Sequence, residues 1–325
     1  MKSRSGQARR NRLFYSLPAI LALAVAGCGP ATLSNTQTYK PPPTLALVVL
    51  VDPASDKYAQ ELQELAGVVS AEASPGEAIV VLTVQPSFGQ VYLVRQGDNL
   101  SSIAAAHGLT LGDLEKSNAQ LGPVAGRNWT WIHPGDRVII PNGAGQEPLL
   151  FVSRAPAGPP PPELVRLPQE PTNPTDYQRA QYTHAVASDN ATNQGRIDAW
   201  RAAAATSLQP WQQQVAAELD RKASSPAPPY HVIDGHALAS SISAGVATLG
   251  GLPGRRLLLL LGGGEHGAVA LDPGSFANVN LVVANLADPT AAASWTASGT
   301  KAGAVSVTTL NTALTQLQLA QAVNR

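Results

Sequence analysis

The chain has 325 residues, enough for two compact domains, and is 44% hydrophobic but only 14% charged. Its formal net charge is zero and no basic stretch suits a polyanion, so nucleic acid is not expected as a partner. With 28 Gly, 27 Pro and one Cys, the sequence offers many turns and no disulfide, so stability has to come from packing.

Lys2, Arg4, Arg9, Arg10 and Arg12 precede an apolar run, "LFYSLPAILALAVAG" (13–27), without an intervening acidic residue. The run is 15 residues long, shorter than the roughly 20 a membrane span needs, and suits the apolar region of a secretion signal. Beyond it the chain carries 17 basic against 22 acidic residues, a formal charge of −5. The run ends in "VAGC" (Val25–Cys28), which resembles the lipobox of bacterial lipoproteins. The resemblance implies that 1–27 is removed as a signal peptide. It also implies that Cys28 is lipidated and that the protein is anchored by this lipid in the bacterial cell envelope, outside the cytoplasm.

Residues 28–43 are polar, end in three prolines and read as a flexible tether. "TLALVVLVD" (44–52) and "AIVVLTVQ" (78–85) are apolar runs of strand length. Between them Tyr58, Leu62, Leu65 and Val69 recur at helical spacing, with Ser55 or Asp56 as the expected cap. Two apolar strands joined by a helix make a βαβ unit of a parallel sheet. Strand character returns at 148–154, and 155–174 is Pro-rich and expected to be irregular. From 176 to about 223 the sequence reads as one or two helices broken near Pro210, with Ala199, Trp200 and Ala203 facing Trp211, Val215 and Leu219 across the break. A helix (235–250), the very apolar strand "RRLLLLLGGG" (255–264), a strand (278–286), a helix (289–303), a strand (304–310) and a helix (312–323) follow. The simplest account joins 44–90 and 143–325 into one α/β domain interrupted by 91–142, because loop tips tolerate insertions.

The interruption has its own pattern. Tyr92 and Val94 alternate as in a strand, Gly97–Asp98 makes a turn, and Asn99 caps a helix over Leu100, Ile103 and Ala104. Thr110 caps a second helix over Leu111 and Leu114, and Pro134–Gly135 turns the chain into a strand with Val138 and Ile140. This β-α-α-β order, with Y-x-V-x-x-G-D-x-L-x-x-I-A at 92–104, G-x-T-x-x-x-L at 108–114, Asn118 and I-x-P-G-x-x-V-x-I-P at 132–141, resembles the LysM domain. The resemblance implies binding of N-acetylglucosamine-containing glycans, chiefly peptidoglycan and in some members chitin. The groove it implies involves Gly97, Asp98, Asn99 and Leu100 on one side, and Asn118, Gln120, Leu121, Ile132 and Pro134 on the other. Asn99 stands where the family commonly has Thr, and the second loop (119–131) is several residues longer than usual. Trp129 and Trp131 in that loop either stack on a sugar or pack against protein; at least one is expected to be structural.

Strand 44–52, ending at Asp52 before a helix, resembles the start of a von Willebrand factor A (vWA) domain, as the later central strand resembles that family's. The resemblance implies a Rossmann-like three-layer α/β/α sandwich carrying the LysM insertion. The family's metal-holding D-x-S-x-S turn is here Asp52-Pro53-Ala54-Ser55-Asp56, and Gly262 stands where an acidic residue is usual. Asp52, Ser55 and Asp56 offer only part of the oxygen shell a hard cation needs, so no metal and no cofactor is expected. Asp52 is expected to cap the following helix instead. Glu265 and His266 read as an exposed loop, and His231, Asp234 and His236 fit no zinc pattern.

Taken together, the sequence predicts a non-enzymatic surface lipoprotein. It would bind wall glycan through LysM and offer the α/β domain to a protein partner. Two other readings stand beside it: a LysM-targeted enzyme of wall glycan, and a metal-dependent vWA-type adhesion protein.

Overall fold

The computed structural model describes residues 36–53, 55–84, 90–141, 149–226, 235–262, 267–286 and 288–310. Cys28 and the segment before it lie outside the described residues, as do the helix expected at 312–323, Ala54, His231, Asp234, Glu265 and His266. In chain order the elements are β1 (Thr36–Thr38), β2 (Leu45–Val51), α1 (Tyr58–Glu72), β3 (Ala78–Thr83), β4 (Gln90–Leu93), α2 (Leu100–Ala106), α3 (Leu111–Lys116), β5 (Arg137–Ile140), β6 (Leu149–Arg154), β7 (Glu163–Val165), α4 (Asp176–Ala223), α5 (Gly235–Gly251), β8 (Arg255–Leu261), β9 (Val279–Ala284), α6 (Pro289–Lys301) and β10 (Ser306–Thr309).

Six strands form one mixed sheet in the order β10-β9-β8-β2-β3-β6, drawn from both sides of the LysM-like segment. All neighbours are parallel except β6, which runs antiparallel to β3 at the edge. The continuous apolar runs follow from this position. Successive side chains of a strand point to opposite faces, so a central strand covered on both faces has no polar side. In β2, Ala46, Val48 and Leu50 pack into one core with α5 and α6, including the fully buried Trp295. Leu47, Val49 and Val51 pack into the other with α1 and α4. Tyr58, Leu62, Leu65 and Val69 of α1 all lie in this second core.

Three features depart from the sequence reading. First, α4 is a single 48-residue helix that runs through Pro210. Proline removes one backbone donor, but the flanking Leu208, Trp211, Val215 and Leu219 are held in the second core, and the Trp211 indole donates to Ser153 Oγ (2.8 Å). Trp200 does not share that contact. Its indole donates to the Pro159 carbonyl (3.0 Å), and its ring meets Tyr39 edge-on at 5.5 Å. Second, the expected tether is packed against the protein from Thr36 on. β1 pairs with β7 inside the Pro-rich stretch, and Tyr39 and the following prolines close with Trp200 around a cleft of about 400 Å³. Third, α1 starts without a side-chain cap. Its N-cap position is Lys57, and Ser55 Oγ accepts the Lys57 N–H (3.1 Å) just ahead of the helix; the expected Asp52 lies five residues before that position.

Residues 90–141 fold as β4-α2-α3-β5 with β4 and β5 antiparallel. Tyr92, Val94, Val138 and Ile140 face a small core with Leu100, Ile103, Ala104, Leu114 and Leu121. Strand β5 serves two cores at once. Ile139, on its other face, joins the α5 core of the large sheet together with Ala125. The fit is close: a Cβ on Gly251, at the end of α5, would stand 2.9 Å from the Gln120 carbonyl oxygen.

Candidate functional site

The first loop of the β4-α2-α3-β5 unit is built around Asp98. Its Oδ2 accepts the Arg95 N–H (2.7 Å) and the Tyr92 hydroxyl (2.8 Å), and its own N–H donates to the Arg95 carbonyl. The Arg95 amide and then the Tyr92 hydroxyl hold the Asp98 carboxyl below its ordinary range; donating to this carboxylate in turn pushes the Tyr92 phenol up, because its proton is held in the bond. Gly97 turns the chain with φ +90° and is exposed. Asn99 caps α2: its Oδ1 accepts the Ser102 N–H (2.8 Å), while Ser102 Oγ accepts the Asn99 N–H (3.2 Å). The turn is thus stiff: Gly97 and Asn99 are exposed, Asp98 is half-buried with its carboxylate bonded inside the turn, and Leu100 turns inward and is 3% exposed.

On the second side the candidate residues divide. Ile132 is half-buried and Pro134 exposed, but Asn118, Gln120 and Leu121 are buried. Asn118 donates to the carbonyls of Leu114 (2.7 Å) and Ile139 (2.8 Å) and accepts the Ile139 N–H (2.7 Å) and the Gln120 amide (2.9 Å). Two donors and two acceptor positions are all a side-chain amide has, so Asn118 ties the end of α3 to β5 and has nothing left for a ligand. Gln120 braces Asn118, and its Oε1 is buried without a partner. Both of these expected sugar contacts are buried and bonded within the domain, where short helices and a two-stranded sheet need a polar stitch because the apolar core is thin.

The long loop is pinned by residues the sequence reading passed over. Arg127 forms a bidentate pair with Asp136 (3.1 and 2.6 Å) and donates to the Trp131 carbonyl (2.6 Å); the His133 N–H also donates to Asp136 (2.7 Å). Burial pushes the Asp136 carboxyl up, but the bonds from Arg127 and His133 outweigh it and hold the carboxyl below its ordinary range. The signal in sequence was an Arg in the loop and an acid directly after Pro134–Gly135, which spacing alone does not connect. The two tryptophans separate as a result. Trp129 packs against the small core, with its ring where a Cβ on Gly122 would lie at 2.3 Å, while Trp131 is 69% exposed.

At the C-terminal ends of the parallel strands, Asp52 and Glu61 are buried, and Asn285 donates to Glu61 Oε1 (2.8 Å). Burial pushes Glu61 up to about 7; the Asn285 bond opposes this, and the charges of Asp52 and Glu64 add to it. Gly262 stands beside Asp52, Ser55 and Glu61. Asp56 is exposed. Among the described residues no group of three or more His, Cys, Asp or Glu side chains could hold a metal ion, and no helix is long and apolar enough to cross a membrane.

No curated protein and no solved structure matches the chain. The family model for the LysM domain matches residues 92–141, which is the β4-α2-α3-β5 unit almost to the residue. A domain of a known family is therefore set into a larger α/β fold, and residues 92–141 of this chain are a LysM domain.

Proposed function

We propose that this protein is a non-enzymatic lipoprotein of the bacterial cell envelope that binds peptidoglycan, or another N-acetylglucosamine-containing glycan such as chitin, through its LysM domain. The observation that carries the reading is the family match over 92–141 together with a stiff first turn that exposes Gly97 and Asn99 around half-buried Asp98. The chemistry suits a sugar. Rigid turns offer backbone groups to an acetamide, and exposed Trp131, near half-buried Ile132, offers an aromatic face to a pyranose ring. The vWA-like sandwich is supported by a parallel-strand centre with helices on both faces, and in this reading the α/β part provides protein contacts. Anchoring through Cys28 is supported by the signal-like sequence that ends in "VAGC".

The test is retention of the full chain on insoluble peptidoglycan and on chitin. The full chain is required because excising the LysM domain would bare Ile139 and Ala125, which belong to the α5 core. Saturable retention is expected. No retention on either polymer would remove glycan binding, and release of soluble wall fragments would replace it with an enzymatic reading.

A further inference from the structure

A crevice of about 260 Å³ runs between the LysM domain and the α5 side of the large sheet. The LysM side supplies Leu121, Gly135 and Arg137; the other side supplies Gly251, Arg256 and Gly274. Gly135, directly after exposed Pro134, places it beside the candidate glycan groove. Two guanidinium groups face it. Arg137 is exposed on the outer face of β5, and among the described residues its side chain makes no hydrogen bond or ion pair. Arg256 spends one donor on the Gly250 carbonyl (3.2 Å). Each guanidinium has five N–H donors, so most of this capacity is unspent. The one acid lining the crevice, Asp136, is already engaged by Arg127 and the His133 amide. Glycines leave much of the wall without side chains, and the close seat of Gly251 on Gln120 fixes its width. The result is an open cationic crevice on a chain whose sequence after residue 27 is net acidic.

We propose that this crevice binds carboxylate groups carried by the glycan seated on the LysM domain. A planar carboxylate matches the guanidinium fork, and the crevice is smaller than the pockets that enclose whole drug-sized ligands, so it suits a substituent rather than a further sugar ring. The protein would then prefer acidic wall glycan over neutral chitin, with discrimination made at the junction of the two parts of the molecule. The proposal rests on glycan binding by LysM and deepens it.

The test compares the full chain with its Arg137→Gln and Arg256→Gln variants by titration calorimetry. Three probes are used: a neutral chitooligosaccharide, glycan strands freed of peptide but retaining the lactyl carboxylate, and peptide-bearing wall fragments. Thermal melts confirm that each variant is folded. Each substitution is expected to weaken acidic probes at least about tenfold, the scale of one lost charged pair, and to change the neutral probe by less than about twofold. Arg137→Lys, which keeps the charge but not the fork, should fall in between. Loss confined to peptide-bearing fragments assigns the peptide carboxylates; loss on both acidic probes assigns the lactyl carboxylate. Equal weakening of neutral and acidic probes, or no weakening of either, overturns the crevice as a carboxylate site and leaves LysM glycan binding intact. Failure of the unsubstituted chain to bind any probe removes both.

Discussion

The LysM domain and the large sheet keep their shape by different means. In the sheet, β2, β3 and β9 are buried along their whole length, and alternation divides their apolar side chains between two cores. Among the described residues the LysM core has eight buried apolar side chains, and polar groups complete it: Asn118 across α3 and β5, Arg127 across the long loop, Asp98 and Asn99 at the first turn. The difference teaches that a polar residue carries opposite meanings in the two regions. In the small domain a buried amide is a stitch, and its place within a family motif does not make it a ligand contact. Against the large sheet a buried carboxylate such as Glu61 of α1 is a liability that the surrounding packing has to carry.

The sharpest way to break this contrast is Asn118→Ala. It strands the Ile139 N–H and two carbonyls, and at roughly 1–3 kcal/mol for each buried group left unpaired the LysM domain should lose at least about 3 kcal/mol or unfold. Urea melts followed by tryptophan fluorescence check this; a variant of unchanged stability that has lost glycan affinity would return Asn118 to the binding surface. Next comes Trp129→Ala, which should cost about 2–3 kcal/mol of LysM stability, less than a fully buried Trp because its ring is only partly enclosed.

The sheet side of the contrast is tested by pH. Burial pushes Glu61 and Glu77 up to about 7, in the case of Glu77 against a hydrogen bond from the Ser74 N–H. Above the ordinary carboxylate range the unfolded chain has released protons that the folded chain still holds, so this contribution is present at low pH and is lost as pH rises from about 4.5 to about 7. Each group should contribute on the order of 1–3 kcal/mol to that decline, and Glu61→Gln or Glu77→Gln should flatten it in melts taken across this range. A decline that survives both substitutions would place its origin elsewhere. The smallest effect expected is that of Trp131→Ala: no change in melting, and glycan binding weaker by about 1–2 kcal/mol if the exposed ring stacks on a sugar. An unchanged dissociation constant would leave Trp131 without a role in binding.

Local pattern made much of this legible. A strand buried on both faces has to be apolar throughout, and a helix against a sheet has to repeat its apolar residues every three or four positions, so β2, β3, β8 and α1 stand out in the chain. The LysM segment is legible for a related reason. Its turns, caps and core positions lie within 50 contiguous residues, so nearly all its constraints are written as spacings. Even so, spacing did not separate Asn118 and Gln120, which hold the domain together, from Gly97 and Pro134, which face outward, because burial depends on which strand lies across the helix end.

The sequence by itself determined the kind of most elements, the LysM domain and the turn that begins its candidate site, but not β1 and β7, which lie in stretches expected to be irregular. Only the tertiary structure decided that α4 continues through Pro210, because that depends on Trp211 and Val215 finding a core to hold them. The same is true of the packing of residues 36–43 around Trp200, and of Arg127 closing on Asp136. It also decided that Ile139 turns away from its own small domain into the α5 core. These outcomes rest on contacts between segments far apart in the chain, where the free energy lies in complementary surfaces meeting and no local periodicity records the partner.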